Sequence, residues 1–333
     1  MPQMKKSGQQ LRWAILGAGK IAHTFAAEFK FLRNATLVAV ASSDKQRAVN
    51  FARQYHIPEA LSYADLYKSK NIDVVYIATT HNFHFEQCEQ CLLNGKAVLC
   101  EKPITINDAQ FKKLAALAAR QKLFLMEAMW TCLLPAIQQA KRWLDAGAIG
   151  TPRLLKCDFG WVMDTTPTGR MYNPQLAGGA LLDLGVYPVA MASFFFNGQS
   201  CKTIATGTLS KTGVDVCTSL LLKYPSATAQ LYTSMEMRTA NELFIYGDKG
   251  YIKIPEFWRA SSCLLYNHQH RLTQNYTVQR MSHGFIYQMQ HANDSVLAAE
   301  TQSDVLTHSL SNQIQEILTT ARAQTGVCYP GES

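Results

Sequence analysis

The chain has 333 residues, 47% of them hydrophobic and 17% charged, with a formal net charge of +8 at pH 7. That length fits two domains more comfortably than one core, and no apolar run reads as the roughly 20 residues of a membrane helix. The basic residues are scattered rather than blocked or interleaved with aromatics, so neither nucleic acid nor a membrane is expected as a partner.

From the N-terminus, "MPQMKKSGQQ" (1–10) lacks the apolar centre of a signal peptide and is expected to be a disordered tail on a cytoplasmic protein. "RWAIL" (12–16) reads as a strand, and residues 20–32 carry apolar side chains at helical spacing. "TLVAVAS" (36–42) is the next strand, followed by a polar helix over 45–55. "DVVYIAT" (73–79) is a continuous apolar run, the pattern of a strand covered on both faces. A helical pattern over 84–94 ends at Asn94-Gly95, where glycine takes the left-handed terminal conformation. "AVLC" (97–100), a helix over 107–121 and "LFLME" (123–127) complete the series. Strand–helix alternation with short connections predicts a doubly wound parallel α/β sheet, a dinucleotide-type domain over 11–128.

The texture changes after Met129. Helices are predicted over 134–146 and 180–195, followed by "KTIATGTLS", "VCTSLLLKY", "TAQLYTSM", "NELFIY" and "GYIKI". Tyr224-Pro225-Ser226 and Gly247-Asp248-Lys249-Gly250 are hairpin-type turns. No long helix separates these strands. Residues 129–330 are therefore predicted as an α+β domain on a large open, mostly antiparallel sheet, closed by helices over 285–299 and 305–324.

Nine cysteines at irregular spacing predict free thiols in a reducing compartment. Cys88 and Cys91 form a C-x-x-C, but inside a helical pattern and with no second pair. They read as small buried residues rather than a redox or zinc site, and no metal is expected.

The stretch "LGAGKIAHTF" (16–25) carries a G-x-G-x-x-A directly after a predicted strand, at the opening of a predicted helix. Gly17 permits the tight turn, Gly19 lets the backbone approach a pyrophosphate, and Ala22 allows helix and strand to pack closely. Lys20 and Ile21 open the helix, whose first turn supplies N–H donors and a positive dipole end. At the end of the second strand an NAD-specific site carries Asp or Glu for the ribose hydroxyls. This chain reads Ser42-Ser43-Asp44-Lys45-Gln46-Arg47. Hydroxyls beside Lys45 and Arg47 suit a 2′-phosphate, so NADP is expected. NAD is used instead if the Asp44 carboxylate reaches back to the ribose.

Two further stretches carry chemistry. "CEKPI" (100–104) places Glu101-Lys102-Pro103 at the carboxyl end of a parallel strand, where ligands bind in such sheets. "GGALLDLGVYPVA" (178–190) places Asp183 and Tyr187 four apart, on one face of a helix. Hydride transfer needs a proton partner for the substrate oxygen, which a lysine or tyrosine can supply. Taken singly, Lys102 reads as a solvated strand-end lysine and Tyr187 as a core tyrosine.

With "MEAMWTCLLPA" (126–136) and "NPQLAGGALLDLGVYP" (173–188), these motifs resemble the Gfo/Idh/MocA oxidoreductase family over about 11–330. The set looks like the branch that contains dimeric dihydrodiol dehydrogenase and NADP-dependent D-xylose dehydrogenase, where tyrosine stands in place of the wider family's histidine at position 187. The resemblance implies an NAD(P)-dependent enzyme acting on a secondary alcohol or carbonyl of a sugar, polyol, cyclic dihydrodiol or dicarbonyl. A non-catalytic NAD(P) sensor on the same fold is the alternative. Lys102 would donate the proton or orient the substrate oxygen, Tyr187 would share that work, and Asp183 would bind substrate hydroxyls. Thr79, Thr80, His81 and His84 would line the nicotinamide side; singly, each histidine reads as a capping or surface residue. Trp130, Trp161, Arg170 and Trp258 match places where such enzymes wall the substrate pocket. The chain departs from the branch at Ser43 and Cys132, where arginine is usual, and at Ala177, where glycine is usual. A homodimer through the C-terminal sheet is also implied, consistent with apolar strand faces between Val214 and Ile254.

Overall fold

The computed structural model describes residues 10–280 and 282–332. Apart from Gln10, the tail expected at 1–10 lies outside the described residues. Two compact units emerge.

The first unit holds a six-stranded sheet: β1 (Leu11–Leu16), β2 (Ala35–Ala41), β3 (Glu59–Leu61), β4 (Val74–Ile77), β5 (Ala97–Glu101) and β6 (Leu125–Ala128). Their order is β3-β2-β1-β4-β5-β6, with every pairing parallel. The intervening helices are α1 (Lys20–Glu28), α2 (Lys45–Tyr55), α3 (Tyr63–Lys68), α4 (His81–Leu93) and α5 (Asp108–Gln121). All of β4 and β5 is buried, which explains their unbroken apolar sequences. Strand order reverses at β1, which pairs with β2 on one side and β4 on the other. The crevice that such a reversal opens at the carboxyl edge is where doubly wound sheets bind ligands.

Local chemistry sets the boundaries. The apolar pattern over 20–32 is α-helical only to Glu28 and tightens into a 3₁₀ turn at Phe29–Phe31. The Asp44 side chain caps α2, and His56 ends it in the left-handed conformation. β3 and α3 were not expected, although Ser62 caps the helix: its Oγ accepts from the Asp65 amide and donates to the Asp65 carboxylate. Cys88, Cys91 and Cys100 sit in the apolar core, and burial pushes the Cys91 and Cys100 thiols up. All nine cysteines are free.

One segment lies elsewhere than the division at residue 129 implies. Residues 282–308 belong with the first unit, not the second. The remaining helices are α6 (Pro135–Asp145), α7 (Val186–Phe195), α8 (Phe285–Leu297) and α9 (His308–Thr325), of which α8 falls in this returning segment. Helix α8 is fastened to the first unit by polar contacts. Asn293 accepts from the buried Trp13 indole N–H at 3.0 Å, and Glu28 accepts from the Ile286 amide at 2.7 Å. The Leu125 amide donates to the Thr301 carbonyl at 3.1 Å beside the edge strand. Nothing in a local apolar pattern announces such a return.

The second unit is built on eight strands: β7 (Pro152–Gly160), β8 (Lys202–Leu209), β9 (Asp215–Lys223), β10 (Thr228–Ser234), β11 (Leu243–Gly247), β12 (Gly250–Ile254), β13 (Ser262–Asn267) and β14 (Leu272–Thr277). Their order is β14-β13-β12-β11-β7-β10-β9-β8, antiparallel except where β7 runs parallel to β10. The sequence pattern missed β7, β13 and β14. The first alternates only loosely, and β14 is almost wholly exposed, so neither presents a clean apolar face. The helix expected over 180–195 winds as a π-helix through Leu181–Gly185 before α7 begins. The stretch Pro174–Phe195 is 22 residues long and contains an 18-residue window of mean hydropathy 1.4, so by length and composition it would cross a bilayer. This corrects the expectation that no run is long enough, but 94% of its apolar window is buried inside the protein. Its apolarity is that of a core helix.

Candidate active site

The first unit gathers four of the expected groups at the carboxyl ends of β1, β2, β4 and β5. The β1–α1 turn places Gly17 at φ 104°, a conformation that favours glycine. A Cβ there would lie 2.8 Å from the Ala78 carbonyl oxygen and 2.9 Å from Thr79 Cγ2. At Gly19 the nearest such atom is 3.8 Å away, leaving an open backbone cradle. Helix α1 starts at Lys20 with no side chain capping its first turn and no acidic residue in it. Those donors and the cradle fit a pyrophosphate. Lys20 is exposed and Ile21 half-buried, while Ala22 is fully buried against the sheet.

At the β2–α2 junction Ser42 is buried, and its Oγ accepts from the Asp44 amide at 3.2 Å. The Asp44 carboxylate accepts from the Arg47 amide at 2.8 Å and so turns toward the α2 N-terminus. Ser43, Lys45 and Arg47 are exposed. A cavity of about 450 Å³ opens here, lined by Ala18, His23, Asp44, Arg47, Asn50 and Phe51 among others. His23 was not foreseen. Its ring lies against Phe51, with centroids 4.5 Å apart, and its Nδ1 meets the Tyr55 hydroxyl at 3.0 Å.

The β4–α4 turn carries Thr79, Thr80, His81 and His84. Neither histidine is a surface residue, contrary to the reading of each alone: His81 is 5% exposed and His84 fully buried. His84 Nδ1 meets the Pro103 carbonyl at 2.8 Å and its Nε2 meets the Thr79 carbonyl at 3.2 Å. It thus ties this turn to the Glu101-Lys102-Pro103 turn. Thr79 Oγ1 donates to Gln87 at 2.6 Å, and Thr80 Oγ1 to Asn82 at 2.7 Å. Glu101 is buried; the Tyr76 hydroxyl donates to it at 2.5 Å, and the Lys102 amide donates to its other oxygen at 3.3 Å. Tyr76 stacks on Phe25, with centroids 3.7 Å apart. A clamped carboxylate therefore fixes the backbone from which the half-buried Lys102 side chain projects. Tyr76 looked like one more apolar strand residue, so its hydroxyl gave no sequence signal.

The second unit assembles the remaining residues around an aromatic cluster. Trp130 and Trp258 meet edge to face at 6.1 Å between centroids, and Trp161 meets Trp258 at 6.4 Å. Phe159, which the sequence did not single out, stacks on Trp258 at 5.6 Å and meets Tyr187 edge-on at 5.2 Å. The Trp130 indole N–H donates to the Tyr187 hydroxyl oxygen at 3.2 Å. Asp183 is buried, and Arg170 grips both of its oxygens, at 2.7 and 3.2 Å. The Arg170 side chain itself is 46% exposed. Asp183 lies in the π-helical turn and Tyr187 in the first turn of α7, so the wider winding intervenes between them. Cys132, one of the departures from the branch, is buried.

A profile described as the oxidoreductase family with an NAD-binding Rossmann fold matches residues 11–129, and a GFO/IDH/MocA C-terminal domain profile matches 137–253. Trans-1,2-dihydrobenzene-1,2-diol dehydrogenase of Mus musculus is 36% identical over 331 residues, covering 96% of this chain and 98% of its own. The Xenopus laevis enzyme of that name is 34% identical over 329 residues, covering 96% and 99%. The fold is shared with a 3-ketoreductase from Actinomadura kijaniata solved with NADP, at TM-score 0.86, 24% identity and 95% and 98% coverage. It is shared too with a levoglucosan dehydrogenase solved with NADH and levoglucosan, at TM-score 0.86, 17% identity and 96% and 98% coverage. The chain belongs to the Gfo/Idh/MocA family of NAD(P)-dependent oxidoreductases.

Proposed function

We propose that the protein moves a hydride between NADP and a secondary alcohol or carbonyl of a sugar, polyol, cyclic dihydrodiol or dicarbonyl. The observation that carries this substrate class is the Tyr187 hydroxyl beside an aromatic wall, with the buried, Arg170-held Asp183 one helical turn earlier. Aromatic faces suit a ring, a carboxylate suits hydroxyl groups, and a phenol suits proton exchange. The relatives' names, dihydrodiol dehydrogenases above all, support the same class.

Gly17, Gly19 and the first turn of α1 would hold the pyrophosphate, and the bound nicotinamide would supply or accept the hydride. The substrate C–H bond breaks with its electron pair as the carbonyl forms, and the hydroxyl proton passes to a protein base. Lys102 orients that oxygen and holds the proton, and Tyr187 shares it. The Trp130 hydrogen bond is strongest to the phenolate form of Tyr187, which takes up the substrate proton in oxidation and returns it in reduction. Asp183 accepts from neighbouring substrate hydroxyls.

For the cofactor, Asp44 is the deciding residue. Its carboxylate caps α2 through the Arg47 amide, and the exposed Ser43, Lys45 and Arg47 beside it suit a 2′-phosphate, which supports NADP. A screen pairing NADP and NAD with aldoses, polyols, dihydrodiols and α-dicarbonyls tests both halves together. Turnover with NADP above that with NAD is expected on at least one class. Arg47→Ala should weaken NADPH binding about tenfold or more, the size of one charge-assisted contact, and leave NADH unchanged. Equal loss for both cofactors would remove the 2′-phosphate assignment. Tight NADPH binding without turnover on any class would make the chain a sensor.

We further propose a homodimer through the outer face of the eight-stranded sheet, in a reducing, cytoplasmic setting that suits nine free thiols. A groove of about 470 Å³ lies on β7–β10, lined by Lys156, Ile204, Leu221, Gln230 and Tyr232 among others. Ile204 is 44% exposed there. Light scattering at micromolar concentration should give twice the chain mass; monomer alone would refute the dimer.

A further inference from the structure

Asp215 opens β9 and is fully buried, far in sequence from every residue assigned above. Its Oδ2 accepts from the Leu181 amide and from Thr218 Oγ1, both at 2.8 Å. Its Oδ1 is buried with no hydrogen-bond partner. That oxygen lies against Gly179, where a Cβ would come within 2.3 Å of it. Gly179 has φ 117°, so a side chain there would meet backbone strain as well as the carboxylate. Next to it, the Gly178 carbonyl accepts from the Tyr329 hydroxyl at 2.5 Å. Leu181 begins the turn that carries Asp183, and Tyr187 follows in the first turn of α7.

Burial pushes the Asp215 carboxyl up to about 6, although Thr218, Leu181 and Arg322 all pull it down. A carboxyl raised in the folded state adds stability only at low pH, and that contribution is lost as pH rises through about 6. At neutral pH this carboxylate therefore works against the fold. A buried acid with an unpartnered oxygen is a poor way to gain stability. Its geometric effect is specific: it fixes the first amide of the turn that bears Asp183.

We propose that Asp215 is a positioning residue for the reaction, holding the start of the 181–195 helical segment so that Asp183 and Tyr187 keep their places. This rests on the roles given to Asp183 and Tyr187 above. The Leu181 amide is the handle, because an uncapped helix start frays while the turns behind it stay wound. Thr218 steadies the accepting oxygen, and Gly179 gives it room.

The test compares Asp215→Ala, Asp215→Asn and Tyr187→Phe on the full-length protein with the best substrate from the screen. In Asp215→Ala, kcat is expected to fall about 10- to 100-fold while the NADPH Kd stays within about twofold. Hydrogen exchange should rise over residues 178–184 and stay unchanged over α7. Asparagine keeps an acceptor for Leu181, so Asp215→Asn should recover kcat to within about fivefold of the parent. If the alanine variant does not fold, Asp215→Ser, whose hydroxyl is too short to reach the amide, takes its place. A kcat within threefold of the parent in the variant lacking the acceptor would overturn the proposal. So would an asparagine variant no better than alanine, or an equal loss of NADPH affinity. Tyr187→Phe separates the two claims: if it alone leaves kcat intact, the role of Tyr187 fails rather than that of Asp215.

Discussion

Replacing Lys102 with methionine is expected to lower kcat by about 10²- to 10⁴-fold, the usual contribution of a positioned acid or base. Methionine preserves the length and much of the apolar stem while removing the charge and the exchangeable protons. The backbone at this point is fixed from other directions: the Glu101 carboxylate accepts from the Lys102 amide and from Tyr76, and His84 meets the Pro103 carbonyl. None of those contacts uses the lysine ammonium, so the turn should survive the change. NADPH affinity, read by fluorescence titration, should stay within a few-fold. Parent-like turnover on the best substrate would remove Lys102 from the chemistry. A matching collapse in cofactor affinity would show that it binds rather than transfers.

The second large effect is expected at the glycine turn. Gly17→Ala places a methyl group 2.8 Å from the Ala78 carbonyl oxygen at a backbone angle of 104°. The neighbour is backbone at the end of β4 and has little room to move. The strained conformation alone costs about 1–3 kcal/mol, and the collision adds to it. Any relief must shift either the turn or the Ala78–Thr79 segment, and both border the proposed cofactor site. We expect NADPH binding to weaken by at least about a hundredfold, with a lowered melting temperature measured without cofactor. Gly19→Ala, which meets nothing closer than 3.8 Å within the protein, should leave the melting temperature nearly unchanged while weakening binding. Equal and normal binding in both variants would mean the cradle does not hold the pyrophosphate.

Much of the first unit was readable because its information is local. Continuous apolar runs marked β4 and β5, and the glycine turn lay where strand gave way to helix. The boundaries that slipped did so where tertiary contacts decided them, as at Phe29–Phe31, where the chain leaves its α-helical pattern within one apolar stretch. The second unit was harder to read. Its sheet has one helix-covered face and one outer face, and β14 offered almost no buried positions from which to infer a strand. Among the proposed site residues, Lys102, Asp183 and Tyr187 stood out only through their motifs taken together, since Lys102 and Tyr187 read singly as structural. Their supports did not. Tyr76, Phe159 and Asp215 make the contacts described through one atom or one ring, and in sequence each is an ordinary strand residue. Asp44 is the instructive case, because sequence weighed its carboxylate only against the ribose, and in the structure it also caps α2. The histidines of the β4–α4 turn, which read singly as capping or surface residues, are both buried.

Asn293 also bears on how the chain matures. The Trp13 indole N–H, buried in the first unit, has as its acceptor a side chain 280 residues further along. Leu125 and Glu28 likewise meet partners beyond residue 280. During synthesis, then, the dinucleotide unit emerges first yet stays unfinished until almost the whole polypeptide has left the ribosome. Left without its acceptor, that indole would cost about 1–3 kcal/mol, a large share of a domain's margin. A nascent chain stalled near residue 280 would hold every cofactor motif and still lack the clasp that closes their unit.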